Sequence, residues 1–159
     1  MLKLHYSLFV FLLLIGLSGA HAQGKAKKKS KQEKKMERYE KQKQAIIDSN
    51  FVFITKKIVT PYVESNWSGG YLNIERKFVR IQELDWVNSS GTKTRLNERA
   101  AIQNYRVLSN PNTSDLLIQF NTQIRARRYD ISITFSAVNK HELVMRSGNE
   151  TVRYTGKFK

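Results

Sequence analysis

Apolar side chains recur at every second position through residues 115–158. Leu116, Ile118, Phe120, Thr122 and Ile124 share one parity, and Tyr129, Ile131, Ile133, Phe135 and Ala137 share the next. Leu143 and Met145 follow one turn later, and Val152, Tyr154 and Phe158 follow another. Asp130, Ser132, Thr134 and Ser136 occupy the alternate positions of the second run. A period of two, broken by short polar turns, is an antiparallel meander with one buried face and one wet face. The turns fall at residues 125–128, 139–141 and 148–149.

Upstream, residues 51–55 (Phe-Val-Phe-Ile-Thr) are β-branched and aromatic and predict a first strand, which Ile58 and Val59 extend or follow before Pro61 interrupts. Residues 71–75 and 78–84 predict two more strands, with Leu72, Ile74, Val79 and Ile81 inward and Trp86 and Val87 closing the run. Residues 94–101 fit either a short helix or an irregular edge. Residues 102–108 predict a strand carrying Tyr105 and Val107. Before all of these, residues 32–47 are rich in helix formers, with Met36, Tyr39, Lys43, Ile46 and Ile47 at spacings of three and four. Asn50 is placed to cap that helix in the left-handed conformation. Its last two turns, through Ile46 and Ile47, are the part apolar enough to dock. The fold class is therefore mainly β: one antiparallel β-sandwich or partly closed β-barrel of about seven or eight strands, preceded by one basic N-terminal helix.

Composition adds where the protein works. Residues 8–17 are an apolar run, followed by Ser18-Gly19-Ala20-His21-Ala22 with alanines in the Ala-x-Ala arrangement. This is a secretory signal peptide over residues 1–22, cut between Ala22 and Gln23. The run is shorter than the roughly 20 apolar residues a bilayer span needs, so no transmembrane segment is expected after cleavage. Residues 23–49 then form a basic helical arm and residues 50–159 the antiparallel β domain. Residues 24–44 hold ten Lys/Arg against Glu33, Glu37 and Glu40, so half the charge of the mature chain sits on 21 residues. The chain has no cysteine, so burial and hydrogen bonding alone hold the exported domain together. The expected location is the periplasm or the medium. Asn-x-Ser/Thr triplets at Asn66, Asn88, Asn112 and Asn149 read as turn chemistry.

The leader, the Lys/Glu-rich stretch running into Ser49-Asn50-Phe51-Val52-Phe53, and Ile102-Gln103-Asn104-Tyr105-Arg106-Val107 form a combination of parts. With the closing hairpins Tyr129-Asp130-Ile131-Ser132-Ile133-Thr134-Phe135 and Val152-Arg153-Tyr154-Thr155-Gly156, that combination resembles a group of small secreted bacterial proteins. They are catalogued as domain of unknown function 4251. The resemblance covers most of the mature chain. It departs in the middle, where residues 78–86 lack the Gly-rich, Pro-Tyr-Phe-Gly-like passage common in that family. It implies a secreted single domain without a known enzymatic role, and it supplies no active site to carry over.

Candidate chemistry is sparse. His5 and His21 leave with the leader, so His141 is the one histidine of the mature chain, expected as a solvated turn residue beside Glu142. A nucleophile–histidine–carboxylate triad and a zinc site both lack the residues they require. Ten carboxylates remain in the body, at positions expected to face solvent, so a carboxylate-dependent hydrolase is the weakest of the readings. No catalytic residue, metal ligand or cofactor is assigned. The most pointed feature is Arg125, Arg127 and Arg128 at one hairpin tip, suited to phosphate, sulfate or carboxylate groups, with edge protection as the plainer reading. Trp67 in a Gly-rich loop, near Tyr71, can stack on a sugar or base or close the end of the β core. The Lys-rich arm suits a polyanion, either anionic lipid head groups or acidic polysaccharide, and export argues against nucleic acid as its partner. The expected function is an exported, non-enzymatic envelope protein acting as a binding or structural module. The alternative is a small-ligand carrier whose cavity is lined by Phe51, Phe53, Leu72, Ile118 and Phe135. Ligand and oligomeric state are not legible.

Overall fold

The structure is a computed structural model that describes residues 30–59, 64–65, 69–110, 112–136, 138 and 140–159. The leader, its cleavage site between Ala22 and Gln23, the first lysines of the arm and Trp67 lie outside the described residues.

Helix α1 spans Lys31–Ile47. Its start is a capping box: Ser30 Oγ accepts from Glu33 N at 3.2 Å, and Glu33 Oε2 accepts from Ser30 N at 2.7 Å. From Met36 onward the chain forms one compact unit with the strands that follow. There the helix is held by a few side chains. Tyr39 stacks on Phe135 with centroids 5.1 Å apart, and Gln42 Nε2 donates to the Phe158 carbonyl at 3.2 Å. Ile46 is fully buried, and its carbonyl accepts from Tyr105 Oη at 2.6 Å. Ile47, expected to dock beside it, is 53% exposed, because adjacent helical positions point about 100° apart. The left-handed residue that ends the helix is Ser49 (φ 52°), not Asn50, which already belongs to the first strand.

Nine strands follow among the described residues: β1 Asn50–Val59, β2 Glu64–Ser65, β3 Tyr71–Glu75, β4 Phe78–Val87, β5 Lys93–Ser109, β6 Leu116–Ile124, β7 Arg127–Phe135, β8 His141–Ser147 and β9 Glu150–Phe158. All pair antiparallel with their neighbours, and β1 also pairs with β9 from Phe53–Phe158 to Val59–Arg153. That last pairing closes eight strands into a barrel, with β2 attached to β1 through Ile58–Ser65 and Val59–Glu64. The fold is a closed barrel rather than a sandwich.

Residues 93–109, half of which admitted a helix on sequence, form one strand of 17 residues. Its first half pairs with β4 and its second with β6, so this one strand turns the corner of the barrel. The register shifts between Gln103 and Arg106, where Asn104 takes φ 54°, and again between Ile81 and Leu84 on β4, where Glu83 takes φ 52°. These are bulges, which bend and twist a strand as closure requires.

The barrel interior is side chain throughout its middle. Leu72, Ile74, Ile118, Ile133, Leu143, Met145, Val152 and Tyr154 are fully buried, and Tyr154 Oη donates to the Asp85 carbonyl at 2.6 Å. Phe51, Phe53, Leu72, Ile118 and Phe135, the expected lining of a carrier's cavity, are 0–5% exposed. They are members of one packed core.

Candidate functional site

The β6–β7 hairpin turns in two residues, Arg125 and Ala126, with Arg125 at φ 50° and Ile124–Arg127 as its last pair. Ile124 and Tyr129 point inward and are buried; Arg127 shares their parity at the open end of the barrel, Arg128 has the outward parity, and Arg125 lies in the turn itself. Beneath the rim is an open hollow of about 400 Å³ at the barrel mouth, floored by Trp86, Leu96, Ile124 and Tyr129 and edged by Thr94, Arg125 and Arg127.

Trp86 and Tyr129 meet edge to face, centroids 5.0 Å apart and planes at 86°. Glu150, the first residue of β9, ties this floor to the rim. Its Oε2 accepts from Arg127 Nη1 at 2.8 Å and from Trp86 Nε1 at 3.3 Å, and its Oε1 accepts from Ser89 N at 3.3 Å. Burial pushes the Tyr129 phenol up, against the charge and hydrogen bond of Arg127, which pull it down.

Each of the three arginines at the hairpin tip has a carboxylate partner. Arg125 pairs with Glu98 at 2.8 Å, Arg127 with Glu150 at 2.8 Å and Arg128 with Asp130 at 3.5 Å. The strand parity splays the three guanidinium groups, and each has its own carboxylate. Tyr71 does not line this mouth; it sits on β3 opposite Gln82, whose Oε1 accepts from its hydroxyl. The structure thus joins Arg125 and Arg127 to Trp86 and Tyr129, an association that chain order hides. Parity alone would have found the floor, since Trp86 alternates with Leu84 and Tyr129 with Ile131.

Other carboxylates are also matched with arginines: Asp85 with Arg95 at 3.1 Å and Glu142 with Arg153 at 3.2 Å. No group of three or more His, Asp or Glu placed to hold a metal ion occurs among the described residues. Asn88 and Asn112 do serve as turn residues: Asn88 Oδ1 accepts from Ser90 N at 3.1 Å and Thr92 N at 2.7 Å, and Asn112 N donates to Asn110 Oδ1 at 3.0 Å.

His141 is not the solvated turn residue the sequence predicts. It opens β8, is 8% exposed, and its Nδ1 accepts from Ser136 N at 3.1 Å. It stacks on Phe135 and meets Phe158 edge on, each at 5.0–5.2 Å. The signal was its parity, shared with Leu143 and Met145. Burial lowers its pKa below 6.5, with Asp115 raising it and Lys56 lowering it further.

No family model matches the sequence, and no curated protein matches it. Among solved structures, the chain is similar to a DUF4251 family protein from Bacteroides eggerthii, at TM-score 0.62 and 10% identity over 76% of this chain and 85% of that one. That neighbour belongs to the group the sequence resembles, and at this identity the likeness is one of fold.

Proposed function

We propose that the protein is an exported, non-enzymatic envelope component in which the barrel is a rigid module and the lysine-rich N-terminal segment holds it on an anionic surface. The observation that carries this is the segregation of charge. Residues 24–44 hold ten Lys/Arg against three Glu, whereas on the barrel Asp85, Glu98, Asp130, Glu142 and Glu150 each neutralise an arginine. The rest of the mature chain carries a similar net positive charge spread over more than a hundred residues, so the density of charge is highest in the N-terminal segment. A basic side chain near an anionic leaflet contributes about 1 kcal/mol of attraction, so a run of lysines is enough for reversible attachment without insertion. The segment has no large apolar residue between Gln23 and Met36, which favours lying on a surface over entering it. The fold it shares with a domain of unknown function carries no enzymatic expectation, consistent with a binding or structural role.

Two measurements test this reading. N-terminal sequencing of the protein recovered from the envelope fraction is expected to begin at Gln23. Recovery from the cytoplasm with Met1 intact would contradict export. Binding to vesicles of mixed anionic and neutral lipid, or to an acidic polysaccharide, is expected to weaken steeply as salt rises and shortens the screening length from about 10 Å at 0.1 M to about 3 Å at 1 M. Salt-independent binding would contradict a charge-driven attachment.

A further inference from the structure

A second hollow, of about 520 Å³, lies where β7, β8, β9 and β1 adjoin. Thr134, Lys140, His141, Thr155 and Lys56 line it, with Glu142 at its side. The residues that build it are unusual for a barrel wall. On β1, Thr55 pairs with Gly156 and Lys57 pairs with Thr155, so Lys56 is the extra residue of a bulge. Bulges re-aim a side chain away from the regular alternation. Gly156 is what lets β1 and β9 approach there: a Cβ on it would stand 2.4 Å from the Ile54 carbonyl oxygen and 2.6 Å from the Phe53 ring.

We propose that this hollow binds a tetrahedral oxyanion, a phosphate or sulfate group carried by a larger ligand. Its free lining groups are donors. Glu142, the one carboxylate in the lining, is taken by Arg153. Neither Lys56 nor Lys140 has an ion-pair partner among the described residues. Because Nδ1 of His141 already accepts from Ser136, the neutral ring carries its proton on Nε2, which makes that nitrogen a donor. The ring is fixed in plane by Phe135 and Phe158, so this donor is pre-placed. The charge of Lys56 is felt at the imidazole, and Asp115 opposes it from the start of β6. Two ammonium groups, two hydroxyls and one imidazole N–H suit an anion with oxygens in several directions. A planar carboxylate is better matched by the fork of an arginine, and the nearest, Arg153, is engaged.

The site lies on the barrel and does not depend on the N-terminal segment. The test is titration of the full ¹⁵N-labelled chain with inorganic phosphate and inorganic sulfate, read at the His141 imidazole, which is assigned by its loss in His141→Gln. Both anions are expected to shift the resonance saturably. Lys56→Met/Lys140→Met, which removes two exposed side chains and leaves the core intact, is expected to weaken the apparent affinity about tenfold. The charge-matched Lys77→Met/Lys93→Met pair is expected to leave it unchanged. A soluble short-chain phosphatidate and a sulfated disaccharide distinguish the sources, the tighter one naming the natural carrier of the group. A shift that grows linearly and is reproduced by chloride would overturn the site, as would an equal loss in both double variants. Loss of vesicle attachment on removing the N-terminal segment would leave these local shifts untouched.

Discussion

The imidazole of His141 lies parallel to the ring of Phe135, with 3° between their planes and 5.2 Å between centroids, while Tyr39 of the helix stacks on Phe135 at 5.1 Å. One buried histidine thus sits one ring away from the helix. Asp115 and Lys56 are the charges felt at the ring, Lys140 and Glu142 flank it in the chain, and the Tyr39 phenol belongs to the helix packed on Phe135. Its folded pKa is depressed, mainly by burial, so between that value and 6.5 the unfolded chain binds more protons than the folded one. Stability is then complete above about 6.5 and falls as pH drops through the folded pKa. Denaturant unfolding from about pH 7.5 to about pH 5 should show this fall, and His141→Gln should flatten it, since glutamine can still accept from Ser136 N. Identical slopes in the two proteins would rule out His141 as the source.

Ile46 and Ile47 give a sharp contrast in the helix. Ile46 is 0% exposed and Ile47 is 53% exposed. Ile46→Ala should cost about 3 kcal/mol as burial is lost and a void is left, whereas Ile47→Ala should stay within about 0.5 kcal/mol. Equal effects in chemical denaturation would mean that the helix does not dock through Ile46.

Much of this architecture was legible from alternation, and the exceptions have physical causes. The β6–β9 meander and the inward set of Leu72, Ile74, Val79 and Ile81 follow the period of two, and all four are buried. β5 is obscured because its Asn104 bulge resets the alternation and because its inward parity puts Glu98 and Ala100 between Leu96 and Ile102. Closure was obscured because β1 and β9 lie about 100 residues apart in the chain and nothing local encodes their pairing. Parity puts Trp86 and Tyr129 inside, but their association with Glu150 at the mouth is hidden for the same reason, since the three come from distant elements. A histidine beside a turn suggests a solvated residue by its type, but the parity His141 shares with Leu143 and Met145 places it inside.

Gly156 tests the closure directly. Gly156→Ala places a methyl group against the Ile54 carbonyl and the Phe53 ring, and overpacking of this kind costs about 1–3 kcal/mol. Adding Phe53→Leu should relieve the ring clash but not the backbone one, so the double variant should not recover the stability expected of Phe53→Leu alone. A neutral Gly156→Ala would contradict the close β1–β9 approach.

Glu150 is the tie of the barrel mouth. Glu150→Ala leaves the buried indole N–H of Trp86 and the amide of Ser89 without their acceptor, which should cost about 1–3 kcal/mol. Arg127→Ala should cost about 1 kcal/mol or less, since its guanidinium is half exposed and such pairs are weak in water. Thermal melts of the two variants give the order; a larger loss in Arg127→Ala would shift the weight of the cluster to the ion pair.

In the proposed function the lysine-rich segment, and not the barrel, holds the protein on anionic surfaces. The most direct measurement is co-sedimentation with anionic vesicles of the mature chain and of a form lacking residues 24–35, at low and high salt, with circular dichroism of both. Salt-sensitive binding is expected for the mature chain, with its loss in the shortened form and the same β spectrum and unfolding midpoint for both. Undiminished binding by the shortened, folded form would contradict it.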